Sequence, residues 1–254
     1  MALLSDKVAI VTGSTKGIGL SIAKIFSKHG ANVVVTSRSL DIAKNIVEDL
    51  SSYGTDSMAL KTDVSKTDSV TNLVKTVIDH YDKIDILINN AGYPLKNKYW
   101  NSSFESLNID DYQHVLDVDL LGSIRCCMQI IPIMKKQKNG NIVNISSTPA
   151  ITGYDKGMPY TIAKSSLLGL TKHLALEYGK FNIRVNSLAL GNIRSSSTFD
   201  QLDKIEQEKL GNESSLRRWG EPKEVAKTCL MIVSDNFSFV TGQTIIIDGG
   251  TVMF

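Results

Sequence analysis

KVAIVTGSTKGIGLSIAKIFSKHGANVVVTSR, residues 7–38, decides how the rest of this 254-residue chain is read. It opens with an apolar, β-branched run (7–13) that reads as a strand. A glycine-rich turn follows, then an amphipathic stretch (18–30) with helical spacing, closed by Gly30. A second β-branched run (31–38) completes the unit.

The same alternation continues outward. Runs 56–64, 84–92, 140–147, 183–191 and 242–250 read as strands, and 39–53, 66–81, 109–138, 159–180 and 222–233 as helices. Most of the strand runs are continuously apolar instead of alternating, as expected where both sheet faces are covered. Five prolines, no low-complexity tract and 42% hydrophobic residues leave enough material for one sizeable core and no linker to divide it. The expected fold is a single-domain α/β structure spanning 1–254, a doubly wound parallel sheet of seven strands with helices on both faces. Ligands of such sheets bind at the carboxyl ends of the strands, where strand order reverses.

Residues with chemical potential cluster after the strands. Gly13, Gly17 and Gly19 follow a G-x-x-x-G-x-G spacing after the first run. Glycines there permit a tight turn and close approach of backbone to a pyrophosphate, which the positive end of the following helix favours. The second run ends at Ser37 and Arg38, where NAD-binding folds place an acidic residue. A guanidinium there grips a ribose 2′-phosphate that a carboxylate would repel, and Lys16 adds a second charge. The expected cofactor is therefore NADP(H). Asp63 in TDVS can accept from an adenine amino group, and Asn90 within NNAG can bond cofactor or backbone; either can equally be a cap or turn.

The stretch YTIAK, 160–164, places a phenol and an ammonium four positions apart on one helical face, thirteen residues after Ser147. A free tyrosine holds its proton to a pH of about 10. The Lys164 charge favours the phenolate, and Ser147 can hold a substrate oxygen within reach. No G-x-S-x-G elbow or suitably placed histidine supports a hydrolase.

Taken together, TGSTKGIG, NNAG, Ser147, YTIAK and the terminal VTGQTIIIDGG resemble the short-chain dehydrogenase/reductase family over essentially the whole chain. Within it the similarity is to 3-oxoacyl-[acyl-carrier-protein] reductases and related carbonyl reductases. The resemblance implies a Rossmann-type fold, a cytoplasmic enzyme and a homotetramer. It implies catalytic roles for Ser147, Tyr160 and Lys164, and cofactor contacts from Gly13, Thr15, Lys16, Gly17, Ile18, Gly19, Ser37, Arg38, Asp63, Val64, Asn90, Ala91, Gly92, Tyr160, Lys164, Gly191, Ile193 and Ser195. Two positions depart from the family pattern. Asp119 stands where an asparagine usually completes a proton relay, and an acid there can hold water or pair with Lys164. Leu190 replaces the proline after the sixth strand, a change expected to loosen that turn.

Segments 93–108, with Tyr93, Tyr99 and Trp100, and 192–218 are the expected substrate loop and lid. Lys135, Lys136 and Lys138 can meet the phosphates of a carrier or of coenzyme A, or form a solvated helix end. The expected substrate is a 3-oxoacyl thioester carried on acyl-carrier protein or CoA. An alcohol, sugar or general carbonyl dehydrogenase and a non-catalytic dinucleotide-binding protein are the alternatives.

A net charge of +2 gives no reason to expect nucleic acid. No apolar run reaches the roughly 18 residues of a membrane span, and the N-terminus lacks a signal-peptide pattern. Three cysteines and four scattered histidines give neither a disulfide framework nor metal-binding spacing. A soluble protein of the cytoplasm with reduced thiols and no metal is expected.

Overall fold

A computed structural model describes residues 2–94, 97–195 and 198–253, without the side chains of 97 and 98. Its strands are β1 (Val8–Val11), β2 (Asn32–Ser37), β3 (Met58–Lys61), β4 (Ile86–Asn89), β5 (Gly140–Ser147), β6 (Ile183–Leu190) and β7 (Thr244–Ile247). They form one parallel sheet in the order β3-β2-β1-β4-β5-β6-β7, the Rossmann arrangement. Longer helices are α1 (Gly17–Lys28), α2 (Leu40–Ser51), α3 (Thr67–Tyr81), α5 (Ile109–Asp119), α6 (Leu121–Gln137), α8 (Met158–Tyr178), α9 (Lys204–Asn212) and α10 (Pro222–Val233). Single turns α4 (Asn97–Trp100) and α7 (Pro149–Thr152) lie before α5 and α8.

The continuous apolar runs have a simple use. Val8 and Ile10 of β1 and Val34 of β2 enter a core beneath α3, α6 and α8. Ala9, Val11, Val33 and Val35, one position out of step, enter the opposite core beneath α1, α2 and α10. Successive strand side chains point to opposite faces, so two covered faces demand an apolar residue at every position. Each fully buried Val or Ile contributes about 2 kcal/mol. Among the described residues no helix is long and apolar enough to cross a membrane.

β1 has β2 on one side and β4 on the other, so strand order reverses there and the loops after β1 and β4 face each other. That juxtaposition builds the crevice a ligand enters. β5 and β6 pair along eight residues from Gly140↔Ile183 to Ser147↔Leu190, which brings Ser147 to the same end.

The expected helix 109–138 is in fact two. The helix breaks at Leu120 (φ −106°, ψ −63°) without a proline or glycine at that residue. The break turns Asp119 inward while Gly122 seats against Val64. Leu190 lies in a strand and not in the turn itself. It is the buried, extended last residue of β6, and its carbonyl accepts from Thr148 N at 2.9 Å.

Candidate active site

Ser147 is the last residue of β5, and its hydroxyl donates to the Leu190 carbonyl at 3.2 Å. α8 carries Tyr160 in its first turn and Lys164 one turn later. Ser146 fastens that helix to the sheet by donating to the Lys164 carbonyl at 2.9 Å. Lys164 is only 5% exposed; its Nζ donates to the Ile145 carbonyl at 3.1 Å and lies 5.6 Å from the Tyr160 ring centroid.

Asp119, 1% exposed, pairs with Lys164 through Oδ2 at 3.2 Å. The pairing expected of an acid at this position is present. Burial by itself pushes the Lys164 ammonium down; the Asp119 carboxylate, with Tyr160 beside it, outweighs burial and holds it above the usual lysine range. Asp119 Oδ1 accepts from the backbone N–H of Tyr93, the first residue of the expected substrate loop. The return of that loop packs on α8: Gly157 N donates to Ser102 O at 3.4 Å, and the Trp100 ring meets Tyr160 edge-on at 5.4 Å and stacks on Tyr154 at 4.9 Å.

The glycine turn closes the other side of the crevice. Gly13 and Gly17 have φ of +64° and +54°, the left-handed region that favours glycine. A Cβ on Gly19 would stand 2.5 Å from both Asn90 Nδ2 and the Gly13 carbonyl. Thr12 ties the loops together: its hydroxyl accepts from Asn90 N and Ala91 N, each at 2.9 Å. Asn90 spends its amide on the Thr12 and Gly13 carbonyls at 2.8 and 3.1 Å, which is the backbone alternative.

α1 begins without a side-chain cap and without an acidic residue in its first turn, so its N–H groups and positive end stay open to an anion. Lys16 and Arg38 are exposed at the ends of the first two strands, and Thr15 is half-buried beside Lys16. The turn and the uncapped helix end fit a dinucleotide pyrophosphate.

Other expected contacts are used in part by the fold. Asp63 Oδ1 takes two bonds from Ser65, at 2.9 and 2.7 Å, in the turn alternative. Burial raises the Asp63 carboxyl, but those bonds, with Arg38 and Lys66 nearby, bring it below the usual carboxylate range. Ser37 accepts from Ser39 N at 3.1 Å. Val64 and Ile193 are buried, and Ile18 packs on the first core, so these three offer backbone and wall. Gly92 stands over the Asp119 carboxylate and Gly191 against Asp248. Ser195 shares a hydrogen bond with Thr198 at 2.9 Å, and its Cβ lies 3.6 Å from the position of a Cβ on Gly17.

The segment 192–218 carries the expected short charged helix as α9, although 196–197 lie outside the described residues. Residues 95–96 of the expected substrate loop do as well. Lys135, Lys136 and Lys138 sit at the end of α6, beside the start of β5, with Lys135 over the Phe181 ring at 4.7 Å. Seven residue steps along β5 separate Gly140, at that edge, from Ser147, roughly 23 Å at the usual rise. All three lysines are exposed at that helix end. Sequence spacing did not reveal the Tyr93–Asp119 hydrogen bond or the Trp100 contact with Tyr160, since both join segments far apart in the chain.

A buried ammonium beside a phenol, a hydroxyl at the neighbouring strand end and an anion cradle across the crevice can orient a carbonyl and move one proton to or from its oxygen. Comparison with known proteins agrees. The sequence profile of a family described as Enoyl-(Acyl carrier protein) reductase matches residues 2–252. The chain is 33% identical over 256 residues to a 3-oxoacyl-[acyl-carrier-protein] reductase of Synechocystis, covering all of both chains. It is 36% identical over 250 residues to the corresponding reductase of Chlamydia muridarum, covering 98% of each. Among solved structures, a 7α-hydroxysteroid dehydrogenase in complex with NADH and 7-oxoglycochenodeoxycholic acid superposes with a TM-score of 0.92 at 28% identity, over 99% of this chain and 96% of that one. The chain belongs to the short-chain dehydrogenase/reductase family and is an oxidoreductase acting on CH–OH groups.

Proposed function

We propose that this protein is an NADP(H)-dependent reductase that converts the 3-oxo group of an acyl thioester into a secondary alcohol. The observation that carries the reading is the set Ser147, Tyr160 and Lys164 at the carboxyl end of β5 and on α8, across from an anion cradle flanked by Lys16 and Arg38. Similarity to 3-oxoacyl-[acyl-carrier-protein] reductases over the full chain supports the substrate class.

When bound, a nicotinamide supplies or accepts the hydride. Gly13, Thr15, Gly17, Gly19 and the first turn of α1 would hold its pyrophosphate, Lys16 and Arg38 the 2′-phosphate, Asp63 the adenine, and Lys164 the nearer ribose. Ser147 turns its hydroxyl from Leu190 O towards the substrate oxygen and fixes it opposite Tyr160. In the reductive direction Tyr160 gives its phenolic proton to the oxygen as the carbonyl becomes an alcohol. Lys164, held charged, stabilises the phenolate left behind. In oxidation the same groups run in reverse.

A second reading, a dehydrogenase of bulkier alcohols or ketones, has one observation in its favour. The stacked Trp100 and Tyr154 rings make an aromatic wall beside Tyr160, and a steroid dehydrogenase is among the structural neighbours. The exposed apolar side chains Leu121 and Met128 on α6 and Ile162 and Leu176 on α8 support association of copies, and we read the assembly as a homotetramer.

The deciding experiment measures NADPH and NADH oxidation with acetoacetyl-CoA, a 3-oxoacyl carrier thioester, simple diketones and a keto-steroid. Preference for the thioesters is expected. Preference for the steroid or diketones supports the second reading. Tyr160→Phe should lower kcat by about 10³-fold or more; full turnover in that variant would show that Tyr160 is not the proton donor.

A further inference from the structure

Asp119 makes two contacts in one buried place. Oδ2 faces Lys164 Nζ at 3.2 Å, and Oδ1 accepts from Tyr93 N, where the chain leaves β4 for the substrate loop. The carboxylate is also the last residue of α5, where the helix dipole disfavours a negative charge. A buried acid at a helix C-terminus needs a specific partner, and Lys164 is that partner. The other end of the loop rests on the same helix through Trp100 and Tyr160.

We propose that Asp119 is a positioning residue that ties the start of the substrate loop to the catalytic lysine and, by its charge, restrains release of the Tyr160 proton. The clamp part goes beyond the proposed reduction and stands without it; the proton part rests on that reading.

The charge argument can be followed group by group. The charged and titratable groups acting on Lys164 are Asp119 from α5 and Tyr160 from its own helix. β5 presents the Ile145 carbonyl, and the loop after β4 gives its Tyr93 N–H to the carboxylate and stacks its Tyr93 ring edge-on against Tyr99. With Asp119 ionised, the Asp119–Lys164 pair is nearly neutral, so the pull of Lys164 on a phenolate is partly cancelled. Removing the negative charge leaves one positive charge facing Tyr160, and the coupled Tyr160–Lys164 pair gives up its first proton at lower pH, whichever member releases it.

Asp119→Asn and Asp119→Ala separate the two functions. The asparagine keeps an acceptor for Tyr93 N but no charge; the alanine keeps neither. Amide exchange at Tyr93 is expected within about threefold of the parent protein in Asp119→Asn and at least about tenfold faster in Asp119→Ala. In protein carrying isotope-labelled tyrosine, the Tyr160 resonance, assigned with Tyr160→Phe, should titrate at least about half a pH unit lower in Asp119→Asn. The rising limb of kcat/KM for alcohol oxidation should move with it. Unchanged Tyr93 exchange in Asp119→Ala overturns the clamp. If Asp119→Ala does not fold, faster Tyr93 exchange in Asp119→Ser keeps the clamp and unchanged exchange overturns it. A Tyr160 titration in Asp119→Asn at the parent pH or above overturns the proton role. Neither the exchange nor the resonance needs substrate. Absence of turnover with every ketone and alcohol would therefore remove the catalytic reading and still leave the clamp decided.

Discussion

Arg38 and Lys16 stand exposed where the first two strands end, at the mouth of the crevice built by Gly13, Gly17 and Gly19. Their charges act on whatever phosphate lies there, and a charge-assisted bond to a phosphate is worth about 1.5–3 kcal/mol. Arg38→Asp both removes that bond and installs the carboxylate suited to a free 2′-hydroxyl. Its dissociation constant for NADPH should rise by about 30-fold or more while that for NADH changes by less than about threefold. Titration of each dinucleotide measures this directly, and an unchanged ratio would sink the preference for NADP(H). At this scale the sequence was readable wherever a local spacing carried the chemistry, as for Tyr160 and Lys164. It left open what only packing decides: Asn90 turned out to bond backbone, and Asp63 to close a turn with Ser65.

The loop after β4 and helix α8 behave as one element in the site. Asp119 pins the loop's start, and α4 brings Trp100 over the first turn of α8, edge-on to Tyr160 and stacked on Tyr154. The helical period of 109–138 was legible, but its interruption at Leu120 was not, because no breaker residue sits there. The break follows from long-range contacts, Asp119 with Lys164 and Gly122 with Val64. Trp100 is half-buried, so removing its ring should trouble the fold little and the site more. Trp100→Ala is expected to lower kcat by about tenfold through misplacement of the Tyr160 hydroxyl, whereas Trp100→Phe, which keeps an edge-on ring, should recover most of it. A rise in KM with kcat unchanged would instead mark Trp100 as a substrate wall that does not position Tyr160.

Across the whole molecule, two apolar layers enclose the sheet, and the continuous apolar runs of the sequence predict both of them. Thiols lie in each layer: Cys229 on the buried face of α10, Cys126 and Cys127 along α6. Their burial follows from helical phase and gives the fold a pH dependence. Burial pushes the thiols of Cys126 and Cys127 up to about 12 and that of Cys229 higher still. In the unfolded chain a thiol loses its proton near pH 8.5. Between those limits the native state binds more protons than the unfolded one, so stability falls as pH rises. Each thiol contributes up to about 1.4 kcal/mol per pH unit. Lys164, held above its usual range against the opposing effect of burial, contributes in the same direction once the unfolded lysine begins to lose its proton near 10.4. Urea unfolding midpoints should therefore hold to about pH 8 and drop steadily from pH 9 to 11. Cys229→Ala should be less stable at every pH from the cavity it leaves, yet show a shallower loss over that interval. Equal slopes in the two proteins would mean that the Cys229 thiol already ionises in the folded chain and is not sealed in the layer beneath α10.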